Sequence, residues 1–198
     1  FSMCFLVHDP AGPASLWAHQ AKPGDELIMQ RLSGDGWELD DPQPPGYLLV
    51  GDVASWPGIA SIIGAAPPEV PIHAFLEYTD DSDLTLPIPE HPRLDLTWVP
   101  AQDDSRGLVD ALGTTDYRGW KAWACAETTA TRLVKTHLQR EHGHNKGSLH
   151  SQAYWVRGRE MGRSLDVDDE AVVPDSAAEP TAPVTAETAA AAPATVAG

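Results

Sequence analysis

Short apolar runs alternate with helical stretches along the middle of this chain, and this alternation restricts the folds open to it. Apolar runs of strand length lie at 46–50, 72–78, 94–99, 121–125 and 149–154. Helices are predicted over 55–65, 105–112, 127–142 and 156–162. Short buried strands that alternate with helices are typical of a doubly wound α/β fold with a parallel sheet. In such sheets ligands bind at the carboxyl ends of the strands, near the point where the strand order reverses.

The N-terminal part reads differently. Residues 1–7 are apolar and strand-like, Pro13 suits the first turn of a short helix, and residues 26–32 read as another strand. A segment rich in Gly, Asp and Pro follows at 33–46, which predicts a loop or a domain junction. Because the chain opens inside a strand-like run, without Met, we expect it to be a piece of a longer protein.

The C-terminal 35 residues, 164–198, contain seven acidic side chains and no basic one. They consist mostly of Ala, Pro, Thr and Val without apolar periodicity. Such a segment buries too little surface to offset the entropy of ordering it, so it predicts a disordered tail or linker. We therefore expect three parts: 1–42, 43–163 and the tail 164–198.

Charge excludes some functions. The chain has 29 acidic and 13 basic residues and a net charge of −16, which argues against a general nucleic-acid binder. Nine of the basic residues lie within 118–163, which predicts either a solvated basic helix face or a binding site for an anionic ligand. No apolar run has the length of a membrane span.

Metal and redox motifs are missing from the sequence. Cys4 and Cys125 lie far apart in apolar stretches, without a CxxC motif, so a reducing cytoplasm is expected. The histidines near the basic region lack the spacing that places three ligands on one helix face. They predict surface side chains that line a basic pocket, and no metal site: His137, His142, His144 and His150.

Three short segments carry candidate chemistry, each beside a plainer interpretation. Gly12-Pro13-Ala14-Ser15 predicts a helix start, which is either an ordinary one or a phosphate site. Residues 51–58 follow a buried strand where a dinucleotide fold places its phosphate loop, but they lack GxGxxG and read equally as a turn capped by Ser55. Residues 151–159 hold an aromatic pair and two arginines. Either the aromatic side chains stack on a flat ring while the arginines hold an anion, or the aromatic side chains pack a last helix onto the sheet.

Read together and in order, the motifs are more specific. HDPAGPASLWA, PGYLLVGDVASWPGIASII, HAFLEYTDDSD, KAWACAETTATRLVKTHLQREHG and LHSQAYWVRGREMG occur in turn over residues 1–163. This set resembles the siderophore-interacting protein family, which comprises ferric-siderophore reductases linked to FAD and NAD(P)H. The resemblance is closest to the siderophore-interaction domains of ABC transporters that import mycobactin.

The resemblance implies a ferredoxin-reductase-type architecture. Residues 1–42 would be the remnant of a FAD-binding β-barrel, whose Arg-x-Tyr-Thr flavin motif lies upstream of Phe1. Residues 43–163 would be a Rossmann-like NAD(P)H domain. Because most of the barrel lies outside this chain, the isolated chain is expected to bind FAD poorly.

The resemblance also implies roles for particular residues, none of them catalytic. The FAD pyrophosphate segment would be His8, Gly12, Pro13, Ala14 and Ser15. The nicotinamide side of the cleft would be lined by Gly51, Asp52, Ala54, Ser55, Glu77, Ala126 and Glu127, of which Ala126 replaces a glycine usual in the family. Tyr154 and Trp155 would lie near the flavin. The anionic siderophore or a cofactor phosphate would meet Lys146, Arg157 and Arg159.

The implied function is reduction of a mycobactin-like ferric siderophore with electrons from NAD(P)H through FAD. The alternative is a domain that binds a siderophore or nucleotide without turnover and regulates a membrane siderophore transporter to which it is tethered. Either function predicts a cytoplasmic location, at the inner face of the plasma membrane if the tether exists.

Overall fold

The computed structural model describes residue 5, residues 12–26 and residues 37–159. Its centre is a five-stranded, fully parallel sheet with the order β3-β2-β1-β4-β5. The strands are β1 (Tyr47–Asp52), β2 (Ile72–Tyr78), β3 (Leu94–Pro100), β4 (Lys121–Glu127) and β5 (Leu149–Trp155). All five strands predicted between residues 46 and 154 are therefore present, and the parallel sheet confirms the predicted fold class.

Within the described ranges, four helices accompany the strands: α1 (Pro13–Gln20), α2 (Trp56–Ala65), α3 (Gly107–Ala111) and α4 (Thr128–Glu141). A short 3₁₀ turn at Asp81–Thr85 stands between β2 and β3, where no helix was predicted. Pro13 and Pro57 lie in the first turns of α1 and α2, where a proline's missing N–H costs nothing.

Two apolar clusters cover the two faces of the sheet. Alternate residues of β1 point to opposite faces, so Leu48 and Val50 join the cluster under α3 and α4, while Tyr47 and Leu49 join the cluster under α2. Every residue of β1 is buried, as expected for the central strand of a sheet with helices on both faces. The fold is thus doubly wound.

The strand order places a crevice at one defined position. The chain builds β1, β2 and β3 outward in one direction and then returns to the other side of β1 with β4 and β5. The order therefore reverses between β1 and β4, whose carboxyl ends are Asp52 and Glu127. This reversal is the position at which an open α/β sheet binds its ligand.

One element was predicted wrongly. Residues 156–159 form a turn rather than the start of a helix, with Gly158 in the left-handed region at φ 73°. The rest of the expected helix, the tail 164–198, and the expected strands at 1–7 and 26–32 apart from Phe5 and Glu26 lie outside the described residues. Within the described ranges, no helix has both the length and the apolar character needed to cross a membrane.

Candidate functional site at the carboxyl edge of the sheet

Asp52 is the last residue of β1, and only 4% of its surface is exposed. Its Oδ1 accepts hydrogen bonds from the backbone N–H groups of Ala54, at 3.0 Å, and Ser55, at 3.2 Å. Its Oδ2 accepts from the backbone N–H of Glu127 at 3.0 Å and from the indole Nε1 of Trp155 at 2.7 Å. Burial raises the pKa of Asp52, and the Trp155 hydrogen bond opposes this rise. One carboxylate thus ties together the ends of β1, β4 and β5.

The Ser55 side chain hydrogen-bonds back to the backbone of Asp52 across the loop between β1 and α2, and it does not bond to the first N–H groups of α2. Ser55 Oγ accepts the backbone N–H of Asp52 and donates to its carbonyl oxygen, both at 2.9 Å, and does not cap α2. A Cβ built on Gly51 would lie 2.1 Å from that hydroxyl and 2.8 Å from Ile59 Cδ1. Gly51 therefore allows α2 to pack closely on β1, and the interpretation of Ser55 as a side-chain cap is wrong.

Glu127 ends β4 and begins α4, with 3% of its surface exposed. Its Oε2 accepts the backbone N–H groups of Thr129 and of Ala130, the latter at 3.2 Å. Its Oε1 lies 3.4 Å from the backbone N of Arg157, which donates to it. Neighbouring Ala126 packs in the core under α3 and α4 rather than toward the crevice.

Trp155 reaches the site because β5 is irregular at its end. The β4–β5 register shifts between Ala126 and Glu127, so that Trp155 pairs with Glu127. A bulge of this kind re-aims a side chain. Tyr154 faces the α2 side instead, edge-on to Trp123 with the ring centroids 6.1 Å apart. The predicted aromatic pair is therefore split, and only Trp155 touches Asp52.

Glu77, near the end of β2, is 4% exposed, and its Oε2 has no hydrogen-bond partner among the described residues. Burial is the main cause that raises the pKa of Glu77, and nearby Asp52 raises it further, while Arg157 lowers it. A Cβ built on Gly107 would lie 3.5 Å from that oxygen, so the unpaired atom faces the start of α3. Three buried carboxyl groups thus line this edge of the sheet.

A cavity of about 360 Å³ lies at the same edge of the sheet, and the three buried carboxyl residues are not part of its lining. It is lined by Trp155, by Arg157 and by residues at or just after the ends of β2 and β3, including Tyr78, Gln102 and Asp103. A guanidinium nitrogen of Arg157 lies 3.5 Å from the carbonyl oxygen of Gln102. Tyr78 and Gln102 were not predicted, since nothing local in the sequence shows that the ends of β2 and β3 face residue 155.

Some predicted residues lie elsewhere. Lys146 precedes β5 and lines a second cavity, of about 820 Å³, beside the amino ends of β4 and β5. Arg157 follows β5, so the two cations are at opposite edges of the sheet. Arg159 is exposed in the turn after β5. The binding roles assigned to these residues stay predictions.

The start of α1 contrasts with the crevice. Gly12 is its extended N-cap residue, no described side chain caps it, and its first turn has no acidic residue. Pro13 and Ala14 are exposed, and Ser15 is buried. His8, predicted with this segment, lies outside the described residues.

The histidines form structural contacts. The Nε2 atoms of His137 and His142 are 3.3 Å apart, and His144 Nε2 lies 3.1 Å from the carbonyl oxygen of Tyr117. His150 stacks on Trp123. No group of three or more His, Cys, Asp or Glu residues suited to a metal ion occurs in the described part of the chain. Burial raises the pKa of the Cys125 thiol to about 12, so Cys125 is a packing residue.

Comparison with known proteins fits this geometry. The family model described as siderophore-interacting protein matches residues 44–158. The chain belongs to the siderophore-interacting protein family. A second model, described as a siderophore-interacting FAD-binding domain, matches residues 1–34.

Two similar relatives are both described as "Mycobactin import ATP-binding/permease protein IrtA". The protein from Mycolicibacterium smegmatis is 41% identical over 169 residues, which cover 85% of this chain and 20% of that protein. The protein from Mycobacterium tuberculosis is 41% identical over 181 residues, which cover 91% of this chain and 21% of that protein. The chain thus spans about a fifth of the length of these curated relatives.

A solved structure shares the fold. The siderophore-interacting protein SipS from Aeromonas hydrophila superposes with a TM-score of 0.64 at 23% identity, over 79% of this chain and 62% of that one. The parallel sheet and helices described above therefore have the same fold as this siderophore-interacting protein.

Proposed function

We propose that this chain is part of an FAD-dependent ferric-siderophore reductase that takes its electrons from NAD(P)H. The observation that carries the proposal is the cavity at the carboxyl edge, which has an indole wall, Trp155, and an exposed cation, Arg157. An aromatic face suits a flat ring, and a guanidinium suits an anionic oxygen. The family membership and the match of residues 1–34 to a FAD-binding domain support this proposal.

The start of α1 fits a flavin pyrophosphate. Its first turn has no acidic side chain that would repel a phosphate, and the N-terminus of a helix is positively polarised. Gly12, Pro13, Ala14 and Ser15 would hold the pyrophosphate there. FAD, when bound, accepts a hydride and releases electrons one at a time. It can therefore link a nicotinamide, which donates a hydride, to ferric iron, which accepts one electron.

The substrate is proposed to be a mycobactin-like ferric siderophore. Ferric iron is a hard cation held by hard oxygen donors, and ferrous iron is held by them less tightly, so one-electron reduction releases the metal. Arg157 and Arg159 would hold the anionic groups of the siderophore, and Trp155 would limit access of water. No side chain has to act as an acid or a base, and we assign no catalytic residue.

The nicotinamide nucleotide would approach the carboxyl edge of β1, β2 and β4. Residues proposed to line its path are Gly51, Asp52, Ala54, Ser55, Glu77 and Glu127, and Trp155 is proposed to lie near the flavin. Ala126, which packs in the core, and Tyr154, which packs against Trp123, are not included. The donor set does not fit a pyrophosphate at the starts of α2 and α4, because Asp52 and Glu127 already accept the N–H groups there. We therefore assign no residue of those helix starts to its phosphates.

The test is iron release by the FAD-loaded protein. Under anaerobic conditions with NADPH and a ferric siderophore, a ferrous chelator should develop colour while the flavin absorbance bleaches and recovers. A protein that retains flavin but produces no ferrous iron would contradict the reductase function.

A second candidate function is a binding domain attached to a siderophore transporter. The identity of 41% to proteins described as mycobactin import ATP-binding/permease proteins, over a fifth of their length, favours this candidate. Siderophore binding with a flavin that NADPH does not bleach would favour it over the reductase. Co-purification with a membrane transporter would support the tether at the inner face of the membrane.

A further inference from the structure

The backbone N–H groups that a dinucleotide-binding sheet offers to phosphate are already used in this chain. Ala54 and Ser55, in the loop after β1, both donate to Asp52 Oδ1. In the first turn of α2, Pro57 has no N–H, and Gly58 donates to the carbonyl oxygen of Ser55 at 3.0 Å. The start of α2 therefore presents few donors to a ligand.

The start of α4 is closed in the same way. Glu127 Oε2 accepts the N–H groups of Thr129 and Ala130, and its Oε1 accepts the N–H of Arg157. Asp52 and Glu127 are both buried residues, so little solvent separates their carboxyl groups from an incoming anion. Glu77 adds a third buried carboxyl group at the same edge.

A phosphate at either helix start would have to displace a buried carboxyl group from its own donors. It would also lie beside other buried acidic groups, where charge repulsion is poorly screened. The side chain of Arg157 differs, because it is an exposed cation that forms no ion pair with a described carboxylate, although it is near enough to Glu77 to lower the pKa of that group.

We propose that the crevice rejects phosphate at the starts of α2 and α4 and receives the anionic group of its ligand at Arg157 instead. Asp52 and Glu127 are then specificity-determining residues that occupy the helix starts. The inference deepens the proposed function and rests on it for the identity of the ligand. Phosphate-bearing nucleotides and anionic siderophores would therefore compete for one cation rather than bind at separate ends of the crevice.

The experiment is an NMR titration of the ¹⁵N-labelled chain with inorganic pyrophosphate. In the unsubstituted protein, the Arg157 resonances should shift saturably, while the amides of residues 54, 55, 129 and 130 should not respond with a Kd tighter than about 1 mM. Saturable shifts at those four amides would overturn the proposal. An absence of shifts at Arg157 would overturn it as well.

Two substitutions of Glu127 distinguish the effect of occupied N–H donors on phosphate binding from the effect of the negative charge. Glu127→Ala frees the N–H groups of Thr129 and Ala130, so pyrophosphate should bind there at least about tenfold more tightly than in the unsubstituted protein. Glu127→Gln keeps an acceptor oxygen without the charge and should bind pyrophosphate less tightly than Glu127→Ala. Equal binding by the two variants would mean that charge alone excludes the phosphate, and would contradict the role given to occupied donors.

A further pair of substitutions tests whether the Arg157 guanidinium binds the anion. Arg157→Gln should weaken pyrophosphate binding at the crevice about threefold, because an exposed cation is screened, whereas Arg140→Gln, on the exposed face of α4, should leave it unchanged. Because these titrations need no flavin and no turnover, a protein without reductase activity would leave their results intact. The failure of the proposed function and the failure of this inference are thereby distinguishable.

Discussion

Helix starts in two regions of this protein differ in what occupies them. At α1 the N-cap residue is Gly12, and the first turn has no acidic side chain. At α2 and α4 the buried carboxyl groups of Asp52 and Glu127 accept the N–H groups at or just before the helix. Because a carboxylate at a helix N-terminus competes with other anions, we propose that the start of α1 has a higher affinity for phosphate than the starts of α2 and α4.

This difference shows that the position of a helix start in a fold does not decide what it binds. The starts of α2 and α4 flank the reversal of strand order, where an α/β sheet usually places its ligand. Two acidic residues at the strand ends convert those starts into internal hydrogen-bond networks. Trp155 and Arg157 line the nearby cavity, and we propose that they receive flat and anionic groups.

The largest expected effect concerns the packing that closes the start of α2. Gly51→Val should lower the free energy of unfolding by about 3 kcal/mol, because its side chain would collide with Ser55, Ile59 and the backbone carbonyl of Cys125. Gly64→Ala, on the exposed face of α2 with nothing within 4 Å, should instead raise it by up to about 1 kcal/mol. Chemical denaturation measures both, and a tolerated Gly51→Val would contradict the close approach.

The next largest effect is expected at the start of α1, which has no acidic side chain in its first turn. Ala14→Asp places a carboxylate in the exposed first turn of α1, where it favours the helix but repels a phosphate. FAD affinity should fall about tenfold, without loss of thermal stability. Gln20→Glu adds a negative charge at the other end of the helix and should leave FAD affinity unchanged. Equal affinities for the two variants, measured by flavin fluorescence, would remove α1 from the flavin site.

A smaller effect concerns the unpaired carboxyl group in the crevice. Burial raises the pKa of Glu77 above its unfolded value, so the folded protein binds this proton more tightly than the unfolded chain does. Its contribution to stability is therefore fully present below the unfolded pKa and is lost as the pH rises through the folded pKa.

Glu77→Gln removes this pH dependence. The variant should be more stable than the unsubstituted protein by about 1 kcal/mol at neutral pH, with the gain vanishing below about pH 4. Glu69→Gln, at an exposed position, should change stability by less than about 0.5 kcal/mol. Thermal unfolding across pH measures the difference, and a gain that grows toward acid pH would reverse the assignment.

The smallest expected effect belongs to the exposed arginines. Arg157→Glu with Arg159→Glu should raise KM for an anionic ferric siderophore about threefold, because exposed charges are screened, and should affect a neutral ferric chelate less. Arg132→Glu with Arg140→Glu makes the same charge change on α4 and serves as the control. If both double variants change KM for both substrates equally, the two arginines after β5 have no special part in binding.

Much of the fold follows from local patterns. The strands and three of the four helices that accompany them have boundaries within a few residues of the predicted ones, because apolar runs, prolines and glycines act locally. The turn at 156–159 was mistaken for a helix, since Gly158 adopts a left-handed backbone that the pattern does not reveal. The direction of the strands follows from their alternation with helices.

The site was less predictable. Asp52, Glu127 and Trp155 were selected as residues at strand ends, but their mutual hydrogen bonds join positions up to 103 residues apart. A one-residue irregularity in β5 directs Trp155 toward Asp52 and leaves Tyr154 against Trp123. Lys146 was grouped with Arg157 through the resemblance to the family, although an entire strand separates them.

The most direct test is to locate the phosphate groups in a crystal structure of the FAD-loaded protein with a bound nicotinamide nucleotide. We expect the flavin pyrophosphate on the first turn of α1 and the nucleotide phosphates beside Arg157. The N–H groups of residues 54, 55, 129 and 130 should still donate to the carboxylates of Asp52 and Glu127. A pyrophosphate bonded to those N–H groups, with Asp52 or Glu127 turned away, would contradict it.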